Sequence, residues 1–150
     1  MVRTAFALAL AGAATFARAD CPALLDHEVR VLRKSDIVNL CDRYAGQPLL
    51  VVNTASHCGY APQLQGLETL YQEYRARGLR VAGFPSNDFG QEARKEEDTA
   101  RICYVNYGVT FDMYSETHVK GARAHPLFAE LARQSRAPRW NFNTYLVDGD

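Results

Sequence analysis

Apolar positions along the chain follow two different spacings, and these predict strands that alternate with helices. Residues 49–52 (LLVV) form an unbroken run of leucine and valine, typical of a strand buried on both faces. After Pro62, leucine and tyrosine recur at three- and four-residue steps as far as Tyr74, which predicts an amphipathic helix that Gly78 would cap. Residues 79–84 (LRVAGF) predict a second strand. Because a helix connects the two strands, they should pair in parallel through a right-handed crossover.

The second half of the chain predicts further elements of the same sheet. Residues 91–104 begin polar and become helical in character, and residues 110–119 alternate loosely enough to hold a third strand. A short helix should open at His125 and Pro126, and the stretch WNFNTYLVDGD predicts a strand that runs into a turn. This order of elements predicts an α/β fold with a central mixed sheet flanked by helices.

Length and charge narrow the possible classes of protein. A chain of 150 residues suits one compact domain. Lysine plus arginine and aspartate plus glutamate both total 17, so the formal net charge is zero. Neither nucleic acid nor an anionic membrane surface is therefore expected as a partner.

The first segment has the composition of an export signal. A positive start (MVR) precedes an apolar run of about a dozen residues, and Ala17-Arg18-Ala19 matches an A-x-A cleavage pattern. The run is too short to span a bilayer, so no stable membrane insertion is expected. We therefore predict a signal peptide over residues 1–19 and a mature domain over residues 20–150, periplasmic or secreted, where disulfides persist. The alternative is a disordered or buried N-terminal helix.

Four cysteines follow the predicted cleavage point: Cys21, Cys41, Cys58 and Cys103. None forms a C-x-x-C pair, and no cysteine or histidine spacing resembles a zinc site, so no metal is expected. These thiols are structural bridges, reactive groups, or both. For Cys21 and Cys41, which lie before the first core strand, we predict a structural disulfide that tethers the N-terminal segment. The alternative is two separate buried thiols.

Cys58 lies at the position where chemistry gathers in open α/β sheets, beyond the carboxyl end of a strand. Backbone N–H groups and the positive dipole end of the following helix would favour its thiolate. The alternative is an inert cysteine packed under that helix. Ala61 stands where a dithiol motif would need a second cysteine. A lone thiolate suits attack on an electrophile, for which a peroxide oxygen is the redox candidate.

Four stretches of the chain resemble the successive signature blocks of the glutathione peroxidases: VVNTASHCGYAPQLQGLETLYQEY, GFPSNDFGQE, YGVTFDMY and WNF. They occur in the family's order and nearly at its spacing, over about residues 49–148, and the chain is identified as a cysteine-type, bacterial and exported member. The resemblance implies a thioredoxin-like fold and the reduction of hydrogen peroxide and organic or lipid hydroperoxides. It implies no bound cofactor, with glutathione or a thioredoxin-like protein as the reducing co-substrate.

The resemblance also assigns site residues. Cys58 would attack the peroxide, while Gln91, Trp140 and Asn141 would surround the sulfur. Indole and amide N–H groups can donate hydrogen bonds to a thiolate and stabilise it. The alternatives are an ordinary core aromatic for Trp140 and a solvated loop residue for Gln91. The family pattern is FPCNQFGxQE, whereas this chain reads FPSNDFGQE, which is one residue shorter. The placement of Gln91 is therefore open. Asp88 stands where glutamine is usual in the family.

Cys103 occupies the place of the resolving thiol of many cysteine-type members, ahead of the YGVTF block. The implied cycle oxidises Cys58 to a sulfenic acid, which condenses with Cys103 to a disulfide that an external thiol reduces. The alternative is a thiol buried in its helix. The resolving role requires that helix to loosen, because disulfide geometry needs Cα atoms within about 7 Å.

Three further expectations follow from the resemblance. The long insert of multi-subunit members is reduced to RQSRAPR before Trp140, which favours a monomer, or a weak dimer, with an open site. The chain is expected to lack the last strand and helix usual in the family. Two rival functions stay open, namely a peroxide sensor that passes its disulfide to a partner protein and an inactive thioredoxin-like module.

Overall fold

A four-stranded mixed sheet forms the centre of the fold in the computed structural model, which describes residues 21–149. The predicted signal peptide lies outside the described residues. The elements are β1 (Glu28–Arg30), β2 (Ile37–Asn39), α1 (Leu40–Tyr44), β3 (Leu49–Thr54), α2 (Gln63–Tyr74), β4 (Arg80–Pro85), α3 (Glu96–Ala100), a π-helical segment (Arg101–Asn106), β5 (Asp112–Met113), α4 (Pro126–Gln134) and β6 (Thr144–Val147). Short 3₁₀ turns cover Arg75–Arg77 and Gly121–Arg123.

The sheet has the strand order β5-β4-β3-β6. β3 and β4 pair in parallel, with Leu49 opposite Arg80, and α2 connects them, which confirms the predicted strand-helix-strand unit. β6 pairs antiparallel to β3 and makes the sheet mixed. α2 ends through the 3₁₀ turn at Gly78, whose positive φ of 101° suits a residue without a side chain, as its predicted role as a cap requires.

The third strand is shorter than the sequence predicts. Of residues 110–119, only Asp112–Met113 form a strand, which pairs in parallel with β4. The backbone N–H of Ser115 donates instead to the carbonyl of Arg30, and that of Thr117 to the carbonyl of Pro85. Since Ser115 bonds to β1, and Pro85 is the last residue of β4, the regular pairing with β4 ends after Met113.

An N-terminal hairpin of β1 and β2 was not predicted from the sequence. Its strands have three residues each and pair antiparallel, with Val29 opposite Val38. Arg30 in the hairpin forms two hydrogen bonds of 3.0 Å to the carboxylate of Glu96, at the start of α3. The hairpin therefore holds the N-terminal end of the helical region that carries Cys103.

The chain's one disulfide within residues 21–149 joins Cys21 to Cys41, the pair proposed from the sequence, with Cα atoms 5.7 Å apart. It links the start of the described chain to α1. Closing a loop of this length limits the freedom of the unfolded chain.

Removing this bridge with the double substitution Cys21→Ala and Cys41→Ala is expected to lower the free energy of unfolding by about 3 kcal/mol, because the unfolded chain regains the entropy of the open loop. Urea denaturation followed by circular dichroism measures the change. Wild-type protein treated with a reductant should fall to nearly the same stability. A change below about 1 kcal/mol would contradict a stabilising role for the bridge.

Apolar side chains pack on both faces of the sheet, as the LLVV run predicts. Val51 faces a cluster that includes Phe84 and Phe128, and Val52 faces a second cluster that contains both free cysteines. Cys58 and Cys103 thus share one apolar layer. Within residues 21–149, no helix has the length and apolar character needed to cross a bilayer.

Candidate active site

Cys58 lies in the loop that leaves the carboxyl end of β3 and leads into α2, the location expected from the sequence. Its residue is 5% exposed. The backbone N–H of Tyr60 donates a hydrogen bond to Cys58 Sγ over 3.4 Å, and among the hydrogen bonds within residues 21–149 this is the one that reaches the sulfur. An N–H directed at the sulfur can stabilise the negative charge that a nucleophilic thiolate carries.

Gln91 is placed beside the Cys58 loop by its own backbone. Its carbonyl oxygen accepts a hydrogen bond of 2.9 Å from the N–H of His57, the residue before Cys58. Its side-chain Oε1 accepts a hydrogen bond of 2.9 Å from Asn141 Nδ2. The shortened FPSNDFGQE loop therefore still brings Gln91 together with Asn141 at the end of β3.

Asn53, on β3, holds the segment that carries Trp140 and Asn141. This fully buried residue donates from Nδ2 to the carbonyl of Trp140 over 3.1 Å and accepts at Oδ1 from the N–H of Asn143 over 3.0 Å. Its own carbonyl accepts from the N–H of Phe142. A single strand residue thus fixes three backbone positions around Asn141. Sequence reasoning missed Asn53, although an asparagine inside an apolar strand is a signal of such a role.

Trp140 is not a core aromatic, since 45% of its surface is exposed. Its ring lies 5.2 Å from that of Phe89, centroid to centroid, and Lys120 Nζ lies 4.0 Å from the centroid of the Phe89 ring. These contacts hold the indole at the rim of the site. Phe89 belongs to the same short loop as Gln91, so that loop supports two of the predicted site residues.

Asn141 Oδ1 is a buried acceptor without a hydrogen-bond partner among the described residues. The residue is 3% exposed, while its Nδ2 is engaged by Gln91. A buried acceptor that lacks a donor carries a free-energy cost and is a common feature of sites that receive a ligand. The oxygen can accept a hydrogen bond from an O–H group that enters the site.

The hydrogen bonds of the site differ from the arrangement expected from the sequence. Within residues 21–149, the side-chain N–H groups of Gln91, Trp140 and Asn141 make no hydrogen bond to Cys58 Sγ. The Asn141 amide does not reach the sulfur because its Nδ2 donates to Gln91 instead. Gln91 is held beside the residue before Cys58, Asn141 is bonded to Gln91, and Trp140 packs on Phe89.

Asp88, which stands where the family has glutamine, ties the Gln91 loop to the segment 118–120. Its carboxylate lies 2.8 Å from His118 Nδ1 and accepts from the N–H groups of Val119 and Lys120 over 2.6 and 3.2 Å. Burial acts to raise the pKa of Asp88, but these hydrogen bonds outweigh it, so the pKa is lowered from its ordinary value. The charged carboxylate of Asp88 therefore anchors the loop, at a position where the resemblance implies the amide of a glutamine.

Glu92 connects the Cys58 loop to α3, a role that was not predicted from the sequence. The residue is 7% exposed, and its carboxylate accepts hydrogen bonds from the N–H and hydroxyl of Ser56, the N–H of Ala93 and the hydroxyl of Thr99. A buried carboxylate is tolerated only with such partners. In the sequence, the one indication of this role is that Glu92 belongs to the FGQE stretch.

Cys103 is buried in the π-helical segment. Burial, with the nearby charge of Glu92 as a second cause, raises the pKa of the Cys103 thiol to about 12. At neutral pH the buried group is therefore the thiol and not the thiolate. π-Helical turns are less stable than α-helical ones and occur often at functional sites.

Within residues 21–149, no three histidine, cysteine, aspartate or glutamate side chains are arranged to hold a metal ion. The chemistry that this site can perform on its own is nucleophilic attack by sulfur, with hydrogen bonds from the surrounding amides and backbone.

Comparison of this sequence with known proteins shows the family to which it is similar. The sequence profile of the glutathione peroxidases matches residues 25–132. A glutathione peroxidase of Lactococcus lactis is 40% identical over 126 residues, which are 80% of this chain and 80% of that protein. The glutathione peroxidase homolog BsaA of Bacillus subtilis is 45% identical over 112 residues, 70% of each chain.

A solved structure agrees with the sequence comparisons. The crystal structure of Trgpx in its apo form is 31% identical, covers 85% of this chain and 78% of its own, and superposes with a TM-score of 0.65. The mixed sheet flanked by helices is thus the thioredoxin-like α/β fold expected from the resemblance. With a nucleophile candidate after β3, a paired glutamine and asparagine beside it and close relatives along most of its length, the chain belongs to the glutathione peroxidase family of peroxidases.

Proposed function

We propose that the protein is a thiol peroxidase in which Cys58 attacks hydrogen peroxide or an organic hydroperoxide. The observation that supports this role is the Gln91–Asn141 pair, which is held beside Cys58 and contains the unpaired acceptor Asn141 Oδ1. That oxygen can receive the O–H of a hydroperoxide and orient its O–O bond toward the sulfur.

In the first step the Cys58 thiolate bonds to the terminal oxygen of ROOH as the O–O bond breaks. The sulfur becomes a sulfenic acid, and the leaving RO⁻ takes up a proton and departs as an alcohol, or as water from hydrogen peroxide. The backbone N–H of Tyr60 supports the charge on the sulfur before attack. We assign Gln91 and Trp140 the supporting role that the resemblance gives them, as N–H donors near the sulfur.

In the second step the thiol of Cys103 attacks the sulfenic sulfur of Cys58. A disulfide forms and one water molecule leaves, with the proton of the thiol and the hydroxyl of the sulfenic acid. Cys103 begins buried in a π-helical segment, so this segment must unwind before the sulfur atoms meet. Two electrons from glutathione or a thioredoxin-like protein then reduce the disulfide, and no bound cofactor is needed.

The surroundings of the site support bulky substrates and a monomer as further parts of this proposal. Tyr60 is 55% exposed and Trp140 is also exposed, so the rim of the site is apolar and open to solvent. Such a rim suits organic or lipid hydroperoxides. We propose that the protein acts outside the cytoplasm, where its Cys21–Cys41 disulfide would persist.

Mass spectrometry of the thiols after one equivalent of hydrogen peroxide tests the proposal directly. We expect Cys58 and Cys103 to be joined and the Cys21–Cys41 bridge to be unchanged, with the same product from an organic hydroperoxide. Steady-state turnover with glutathione and with a thioredoxin-like protein, measured separately, then identifies the donor. Intact protein in which Cys58 stays reduced would contradict the peroxidase mechanism, and a trapped mixed disulfide with slow turnover would favour a sensor.

A further inference from the structure

Glu92 makes contacts on both sides of the boundary between the two thiol-bearing segments. On one side, Ser56 donates to Glu92 from its N–H over 3.2 Å and also from its hydroxyl, and Ser56 lies two residues before Cys58. On the other side, the Thr99 hydroxyl donates over 2.7 Å. The N–H of Ala93 completes the set at 2.8 Å.

Thr99 is placed to transmit this contact to Cys103. It lies four residues before Cys103 along the same helical stretch, in which α3 passes directly into the π-helical segment. Neighbouring turns of a helix share their hydrogen-bond ladder, so a residue that fixes one turn also resists unwinding of the next. The Thr99–Glu92 bond thus holds the Cys103 segment against the loop of Cys58.

Burial of the Glu92 carboxylate strengthens its hydrogen bond with Thr99. Thr99 and Glu92 are both buried, and a hydrogen bond to a carboxylate in such surroundings is stronger than one in water. When the Cys103 segment unwinds, Thr99 withdraws and one donor to Glu92 is lost, while the donors from Ser56 and Ala93 stay on their own segments. Opening therefore has a cost to which this one bond contributes.

We propose that Glu92 is a positioning residue which, through Thr99, keeps the Cys103 segment docked and so limits the rate at which the Cys58–Cys103 disulfide forms. The inference rests on the proposed function and adds a control on its second step. While the segment is docked, Cys58 sulfenic acid persists and stays available to an external thiol. When the segment opens, the internal disulfide forms.

The test compares Thr99→Val with wild type in single-turnover experiments with one equivalent of hydrogen peroxide. Samples are quenched at successive times and analysed by mass spectrometry for sulfenic acid and for disulfide. Valine keeps the shape of threonine but lacks the hydroxyl. We expect disulfide formation to be about tenfold faster, as for the loss of one hydrogen bond to a charged group, with sulfenic acid formation changed less than about twofold.

Matched variants separate this effect from general loosening. Thr69→Val removes a hydroxyl that donates to Gln65 on an exposed face of α2, and it should leave both rates unchanged. Thr99→Ser restores the hydroxyl and should restore the slow rate. Glu92→Gln keeps the size of the side chain and an oxygen that can accept from Thr99 but removes the charge, so it should weaken that bond and also speed disulfide formation, by less than Thr99→Val.

The outcomes are distinct. Disulfide formation in Thr99→Val within about twofold of Thr69→Val, or slower than it, would overturn the inference while leaving the peroxidase mechanism intact, because the disulfide would still form. Equal acceleration in Thr99→Val and Thr99→Ser would also overturn it, since the hydroxyl would then have no part. Wild-type protein that forms no sulfenic acid would instead remove the proposed function.

Discussion

Replacing Cys58 with serine is expected to lower the rate of hydroperoxide consumption by about a thousandfold or more, the order seen when an enzyme loses its nucleophile. A serine hydroxyl at the same position is not ionised near neutral pH and cannot become a sulfenic acid. The measurement is the loss of hydrogen peroxide under steady-state conditions with a saturating thiol donor.

Cys103→Ser is the matched control for this substitution, because it changes the same atom in the other free thiol. That variant should still consume one equivalent of peroxide in a rapid first turnover and then slow, since Cys58 reacts but lacks its internal partner. Retention of steady-state activity in Cys58→Ser would show that another group attacks the peroxide.

Asn53→Ala is expected to lower the free energy of unfolding by about 2–4 kcal/mol, because truncation of this fully buried side chain removes its hydrogen bonds to the carbonyl of Trp140 and the N–H of Asn143 and leaves a cavity. The same loss frees the segment that positions Asn141. We expect the rate of Cys58 oxidation to fall on the order of a hundredfold, since small misplacements of orienting groups are costly.

Asn143→Ala provides the comparison for Asn53→Ala. Its side chain takes no part in the hydrogen bonds found within residues 21–149, and only its backbone contacts Asn53. Its stability should stay within about 0.5 kcal/mol of wild type. Denaturation curves and single-turnover oxidation rates measure both quantities. Equal effects of the two substitutions would show that Asn53 has no special part in holding the loop.

The parts of the fold that the sequence predicts are those with strong periodicity. The LLVV run and the apolar steps through Tyr74 correspond to β3 and α2, because burial of those side chains dominates the local energetics. The hairpin of β1 and β2 escaped prediction because strands of three residues carry too little pattern to be recognised. The sequence predicts too long a strand at β5, because the backbone of Ser115 bonds to Arg30 in β1 and does not continue the regular pairing with β4.

The site residues also differ in how far the sequence predicts them. The resemblance assigns Cys58, Gln91, Trp140 and Asn141 to the site. The structure places Gln91, with Asn141 bonded to it, beside the Cys58 loop. Asn53 and Glu92 could not be predicted, since their roles depend on contacts with residues distant in the chain. The export signal, the monomeric state and the choice of reductant stay predictions.

Trp140 is the sole tryptophan of the sequence, and the structure places its half-exposed ring beside the loop that holds Gln91. The intrinsic emission of the protein under selective excitation of indole therefore comes from one location at the rim of the candidate site. A change at Cys58 that shifts the Gln91 loop should alter that emission. The molecule thus contains its own optical probe, with which the proposed cycle can be tested in real time without a label.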